Sequence, residues 1–213
     1  MIKLLFLFFT FINATTHHYN ISFMGLNVAQ VSIASTDTIF YNQPSTIVRF
    51  EAKTRPIYNF LYPVSNHYET IHNNNNHQIL SFKKITSQPG IYNNLTTAYE
   101  NQQVHYNNSK ILIQNNSTNI FSLLYLISNS LFKSEVFILE KEGVHYNSSL
   151  ILTDNDDIFK KYKLNILLDS SDSSAGAIKH TDIFTWAIFK NDAERIIWVN
   201  SLKNRIEKCY FKV

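Results

Sequence analysis

Hydrophobic and polar residues alternate with period two along most of the chain, the pattern of strands that bury one face. Tyr19, Ile21 and Phe23 alternate with polar residues. A turn at Met24-Gly25-Leu26 follows, and Val28 to Ala34 returns as the second strand of a hairpin. From Thr46 to Thr54, Thr46, Val48, Phe50 and Ala52 share one face, while Arg49, Glu51 and Lys53, with Ile47 among them, share the other. Pro56 to Leu61 predicts a short helical turn, ended by Pro63. Val64 to His72 and His77 to Thr86 predict a hairpin around Asn73-Asn74-Asn75-Asn76, residues that tolerate positive φ. Tyr92 to Tyr99 and Val104 to Gln114 continue the pattern, as do Glu135 to Glu140, Val144 to Leu152 and Tyr162 to Leu168. Ile183 to Phe189, Ile196 to Ser201 and Ile206 to Val213 complete about eleven predicted strands. A tight turn at Asn191-Asp192 in the last part predicts Trp186 packed inward as a core anchor. It places the Arg195 guanidinium at the surface near Asp192.

Only Thr118 to Asn129 reads as a helix, capped by Ser117 or Thr118. Ile120, Phe121, Leu123, Leu124 and Ile127 cover a broad face with Tyr125 and Leu126 beside it, too wide for an exposed helix. Leu123 and Leu124 are therefore expected to be almost fully buried. Asp169 to Gly176 reads as a flexible loop. The prediction is a mainly β chain: one strongly curved antiparallel sheet or open barrel packed on a single buried helix.

The start of the chain follows a different pattern. Met1 to Ala14, MIKLLFLFFTFINA, has one lysine, an apolar run from Leu4 to Ile12 and a small residue at the end. That is the arrangement of a cleavable signal peptide, and the run is too short to span a bilayer as a helix. The organisation expected is a signal peptide over 1–14 and one β-rich domain over 15–213, with no transmembrane helix in the mature chain.

Composition narrows the function. Charged residues make up only 16% of the chain and carry a formal net charge of +3, with no basic run longer than Lys160-Lys161, so no nucleic-acid footprint is present. The single cysteine, Cys209, excludes an intrachain disulfide and any metal site built on several cysteines. Asparagine occurs 25 times, so the Asn-x-Ser/Thr triplets at Asn20, Asn94, Asn107, Asn115, Asn116 and Asn147 are expected by chance. With four scattered glycines, the chain has no phosphate-cradling loop, dinucleotide fingerprint or nucleophile elbow.

His72 and His77 flank the asparagine turn and could approach each other as metal ligands; the preferred reading is polar residues at a solvated turn. Asp154-Asn155-Asp156-Asp157 resembles the start of a calcium loop, but Phe159 and Asn165 stand where the loop needs Gly and Glu. Ser122, on the helix, reads as a back-bonded serine rather than a nucleophile. No catalytic residue, metal site or cofactor is expected. A curved sheet with a helix across its mouth can enclose a cavity. Its candidate lining is Phe50, Phe82, Tyr125, Trp186 and Trp198.

Three segments together resemble the DUF3108-like family of uncharacterised exported bacterial proteins. They are Tyr19-x-x-x-Phe23-x-Gly25 with Val28-Ala29-Gln30-Val31, the helix segment from Asn119 to Leu126, and Phe184-x-Trp186-x-x-Phe189-x-x-Asp192-x-x-Arg195. Ser122 and Tyr125 match the family's helix pattern; Asn119 replaces its Asp, and Ser128 stands in place of its Arg. The resemblance implies export and a curved β-rich fold, and it supplies no catalytic residues. The expectation is a non-enzymatic protein of the periplasm or cell envelope that binds an apolar ligand or an envelope partner. A structural or assembly component of the envelope, or a small outer-membrane β-barrel, is the alternative.

Overall fold

The computed structural model describes residues 14–100, 103–106, 117–132, 134–169 and 182–212. Residues 1–13, most of the loop read at Asp169 to Gly176, and Asn107, Asn115 and Asn116 lie outside them.

Two antiparallel sheets form the body. The larger is a seven-stranded meander in chain order: β1 (Ala14–Phe23), β2 (Leu26–Phe40), β3 (Gln43–Thr54), β4 (Ser65–Asn73), β5 (Ile79–Gln88), β6 (Ile91–Glu100) and β7 (Gln103–Tyr106). The smaller has five strands, in the order β12 (Arg205–Lys212), β11 (Glu194–Asn200), β10 (Phe159–Leu168), β9 (Val144–Asn155) and β8 (Val136–Lys141). Local chemistry makes the hairpins. Met24 and Gly25 both take positive φ (50° and 80°), as a two-residue turn matched to strand twist requires. In the asparagine turn, Asn73 Oδ1 accepts the Asn75 N–H at 2.8 Å and Asn76 Oδ1 accepts that of Gln78 at 3.0 Å. The positive φ of that turn falls on His77 rather than on an asparagine.

The parity of β3 is the one expected. Thr46, Val48, Phe50 and Ala52 are buried. Cross-strand register extends them into rows, one of which runs His17, Ile33, Phe50, Tyr68, Lys84, Leu95 across six strands. The inner face of the smaller sheet contributes Leu139, Leu150, Leu164, Ile166, Ile197 and Val199.

Between the sheets lies α1 (Ile120–Ser128), touching β3 and β4 on one side and β8, β11 and β12 on the other. All its residues but Tyr125 are buried, with Leu123 and Leu124 among them. Phe121 is the aromatic centre of the core, stacked on Tyr68 at 4.3 Å and packed against Phe50 at 5.0 Å. The cap is Asn119, whose Oδ1 accepts the Ser122 N–H at 2.8 Å, and not Ser117 or Thr118. Thr118 instead bridges to Leu139 of β8.

Two expectations are corrected. One curved sheet or open barrel on a single helix is in fact two sheets with two helices among the described residues, and no barrel closes. Alternation reveals which face of a strand is buried but not which strand lies beside it. Here the last strand, β12, pairs with β11 alone and does not join β1. Second, Ile183–Phe189 is a helix, α2, and not a strand. Asp182 caps it, accepting the N–H groups of Phe184 (2.9 Å) and Thr185 (3.0 Å). A short apolar run has no periodicity that distinguishes helix from strand, and the capping aspartate decides it.

The hairpin across Asn191-Asp192 therefore does not exist, and the burial order of its two marker residues is reversed. Trp186 is 48% exposed, and Arg195 only 3%. The Arg195 guanidinium turns back onto the end of α2. It donates to the carbonyl of Ile188, to that of Ala193 at 2.9 Å and to that of Lys190 at 2.6 Å. Ile188 lies in the last turn of α2, where a helix leaves carbonyls without an intrahelical partner, and Lys190 and Ala193 belong to the turn that follows.

Candidate functional site

The two sheets meet differently on their two sides. On one side the edge strands β1 and β12 come close without pairing, and the gap is a groove of about 260 Å³. Its lining mixes the apolar or aromatic side chains of Tyr19, Ile33, Phe50, Leu124, Tyr125 and Ile206 with the polar ones of Thr15, Ser35 and Asn204. Its rim carries His17, Lys203 and Arg205, with Ser128 and Asn129 from the end of α1. No carboxylate lines it, although Glu207 pairs with Arg205 from outside at 2.9 and 3.0 Å. Burial, then the nearby charges of Arg205 and His18, depress the His17 pKa. Burial also pushes the Tyr19 hydroxyl up to about 12, so it stays a neutral donor at physiological pH.

On the other side lies a closed polar cluster. Parity puts Lys84 on the inner face of β5 between Phe82 and Thr86, where it is 1% exposed. Two acids from elsewhere in the chain meet it. The Asp182 carboxylate, at the start of α2, lies 2.8 Å from Lys84 Nζ. The second, Glu142, accepts from the same ammonium and is delivered by the tight β8–β9 turn, where Glu142 and Gly143 both have positive φ (52° and 90°). Tyr68 donates to Asp182 Oδ1 at 2.7 Å and accepts from the Asn66 amide at 3.0 Å. Glu140, also buried, accepts the Gly143 N–H at 2.8 Å.

Charge balance explains the pKa directions. Burial raises the Glu142 pKa, and the attraction of Lys84 offsets this only in part. Burial pushes Asp182 the same way, but Lys84 together with the Thr185 N–H and the Tyr68 hydroxyl outweighs it, and its pKa falls below the ordinary value. The surroundings thus favour the charged form of Asp182 and disfavour that of Glu142. Tyr68 is raised well above its usual range by burial and by the neighbouring carboxylate. Every one of these groups is turned inward onto another, and a void of only about 20 Å³ adjoins them, the space of one water.

The candidate lining residues separate. Phe50 and Tyr125 face the groove. Phe82 is buried beside the Lys84 cluster. Trp186 lies on the outer side of α2 under the Lys190 ammonium, at 5.3 Å. Trp198 sits on the outer face of the smaller sheet between Lys161 and Lys208, at 5.5 and 5.0 Å. The reading of His72 as part of a solvated turn is also corrected. Its ring is 1% exposed, packs edge-on to Tyr125 at 5.5 Å, and has no hydrogen-bond partner on either nitrogen among the described residues. Burial, then the charge of His77, lowers its pKa to about 4. Asp154 to Asp157 form the exposed end of the β9–β10 hairpin, where Asp156 caps the N–H groups of Ile158 and Phe159. Ser122 donates to the Asn119 cap at 2.8 Å. The described residues hold no cluster of three or more potential metal ligands from His, Cys, Asp and Glu, and no helix long and apolar enough to cross a membrane.

Sequence reasoning missed Lys84, Glu142, Asp182 and Tyr68. The parity of β5 held the signal for Lys84, since of the adjacent Lys83 and Lys84 one must point inward. Asp182 was visible as a cap, three residues before Thr185 and at the head of an apolar run. Three of the positions behind the family resemblance lie at helix ends: Asn119 and Ser122 at the start of α1, and Arg195 at the end of α2. No family model matches the chain, and no curated protein or solved structure does so either.

Proposed function

We propose that this is an exported, non-enzymatic protein of the periplasm or cell envelope that binds a small amphiphile in the groove between β1 and β12. The observation that carries the reading is the lining of that groove. Its aromatic and aliphatic side chains are flanked by Lys203 and Arg205 with no acid among the lining residues, which suits an apolar body with an anionic head. The volume exceeds the ~150 Å³ of an engineered apolar cavity that binds benzene. The densest group of ionisable side chains, around Lys84, is saturated internally and shut from solvent, which supports a structural role rather than catalysis. The leader pattern and the resemblance to the DUF3108-like family support export.

Calorimetric titration with decanoate, a carboxylate on an apolar chain, tests the groove. One site is expected in the wild type. Ser35→Trp, which fills the groove from β2, should remove it; an undiminished site in that variant would contradict the assignment. N-terminal sequencing of protein from the envelope fraction should begin near Thr15, and an intact Met1 on cytoplasmic protein would contradict export.

A further inference from the structure

In an up-and-down meander, alternate connections gather at the same end of the sheet. The β1–β2, β3–β4 and β5–β6 connections share one end of the seven-stranded sheet. Two backbone and side-chain contacts confirm that the first two are neighbours: the Arg55 N–H donates to the Val28 carbonyl at 2.9 Å, and the Arg55 guanidinium to Asn20 Oδ1 at 2.8 Å. At this end large apolar side chains stand out into solvent. Met24 is 87% exposed, Phe60 81%, Tyr92 72% and Ile57 70%, with Phe23 and Leu61 close behind at 66% each. A run of large apolar tips at the ends of three adjacent turns is far from the scattered single residues of an ordinary surface.

Charge completes the pattern. The three connections, residues 23–27, 55–64 and 88–92, contain no acidic residue, and their one charge is Arg55. The opposite end of the same sheet exposes Ile39 and Tyr41, but its β4–β5 connection is the asparagine run, and Asp37 stands close by, paired with Thr46 at 3.1 Å.

We infer that the apolar end docks on a phospholipid bilayer, with the tips of the three connections entering the interfacial layer. The six apolar side chains, each at least 66% exposed, are spread over three separate connections, so a protein partner would need a matching hollow at each. The headgroup and upper acyl region yields to such projections. Aromatic residues, here Phe23, Phe60 and Tyr92, suit that boundary because they combine an apolar ring with, in tyrosine, a polar head. The absence of carboxylates and the presence of Arg55 fit anionic headgroups. Docking leaves the strands intact, so no part of the chain needs to span the membrane.

Flotation of the purified mature chain, from Thr15 onward and without the apolar leader, with vesicles of phosphatidylcholine and phosphatidylglycerol tests this. The protein should float with the vesicles. Phe60→Ser/Leu61→Ser and Phe23→Ser/Met24→Ser should each lower the bound fraction about tenfold or more, since every exposed apolar side chain contributes to partitioning. Ile39→Ser/Tyr41→Ser, at the other end, should float like the wild type. All six positions are exposed, and unchanged thermal melts would show that the variants remain folded. A wild type that stays at the bottom of the gradient overturns the inference, as do rim variants that float undiminished. A wild type that is dimeric in sedimentation, does not float and becomes monomeric in the rim variants would assign the same surface to a second copy of the chain instead.

Discussion

The two sides where the sheets approach each other use opposite chemistry for the same task. On the β1–β12 side, neither edge strand supplies a partner for the other, and the gap is left as a groove. On the other side, the gap is filled by charge, with Lys84 reaching from the larger sheet to Glu142 on the smaller and to Asp182 on α2. A buried ion cluster is a poor source of net stability but a strict specification of geometry. Its charges tolerate no substitute partners, and removing one leaves another unpaired in a low-dielectric interior. The groove imposes no such condition. The closed side therefore fixes how the sheets meet, while the open side stays a groove.

The largest expected effect tests the closed side. Lys84→Ala leaves Asp182 unpaired and should cost about 3–5 kcal/mol in urea unfolding. Replacing the whole set by neutral groups, in Lys84→Met/Glu142→Gln/Asp182→Asn, should recover most of that loss, because asparagine still caps α2. A triple variant as unstable as Lys84→Ala would show that the loss stems from packing and not from charge.

His72 comes next. Its folded pKa of about 4 lies below the ordinary value of 6.5, so the folded state disfavours its proton. Its contribution is complete above pH 6.5 and is lost as pH falls through that window towards 4. The shift corresponds to about 3 kcal/mol at one pKa unit per 1.36 kcal/mol. His72→Phe should flatten the stability profile between these limits. Below about pH 4 the loss of the Asp182 charge takes over, since that carboxyl is held below its ordinary value. A profile between pH 6.5 and 4 that is the same in both proteins would mean that the ring is solvated.

Arg195→Ala is expected to cost about 2–3 kcal/mol, because it uncovers buried carbonyls at the end of α2. Trp186→Ala should cost under about 1 kcal/mol, as exposed changes do. The reverse ranking would restore the hairpin reading of this segment. The smallest effect belongs to the groove: Ser35→Trp should leave stability within about 0.5 kcal/mol while removing decanoate binding.

This contrast marks what the sequence could reveal. Period-two patterning identified nearly every strand, because the buried face of a strand is a local property. The helix at Thr118 to Asn129 was legible for the same reason, since its broad apolar face lies within one segment. Partnership between strands is not local, so the division into two sheets, and with it the groove, was hidden. The Lys84 cluster joins residues 58 positions apart in one pair, and no local pattern links them. Its individual parts were nonetheless visible in the parity of Lys83 and Lys84 and in the capping position of Asp182. The segment with Trp186 was misread because a seven-residue run, apolar but for Thr185, fits a strand as well as a helix, and tryptophan was weighted as a core residue.

The division of labour between the two sides is tested most directly by decanoate titration of the folded Lys84→Met/Glu142→Gln/Asp182→Asn protein beside Ser35→Trp. The account predicts wild-type affinity in the first and no site in the second. Loss of binding in the folded triple variant, with binding kept in Ser35→Trp, would contradict it and move the functional site to the buried cluster.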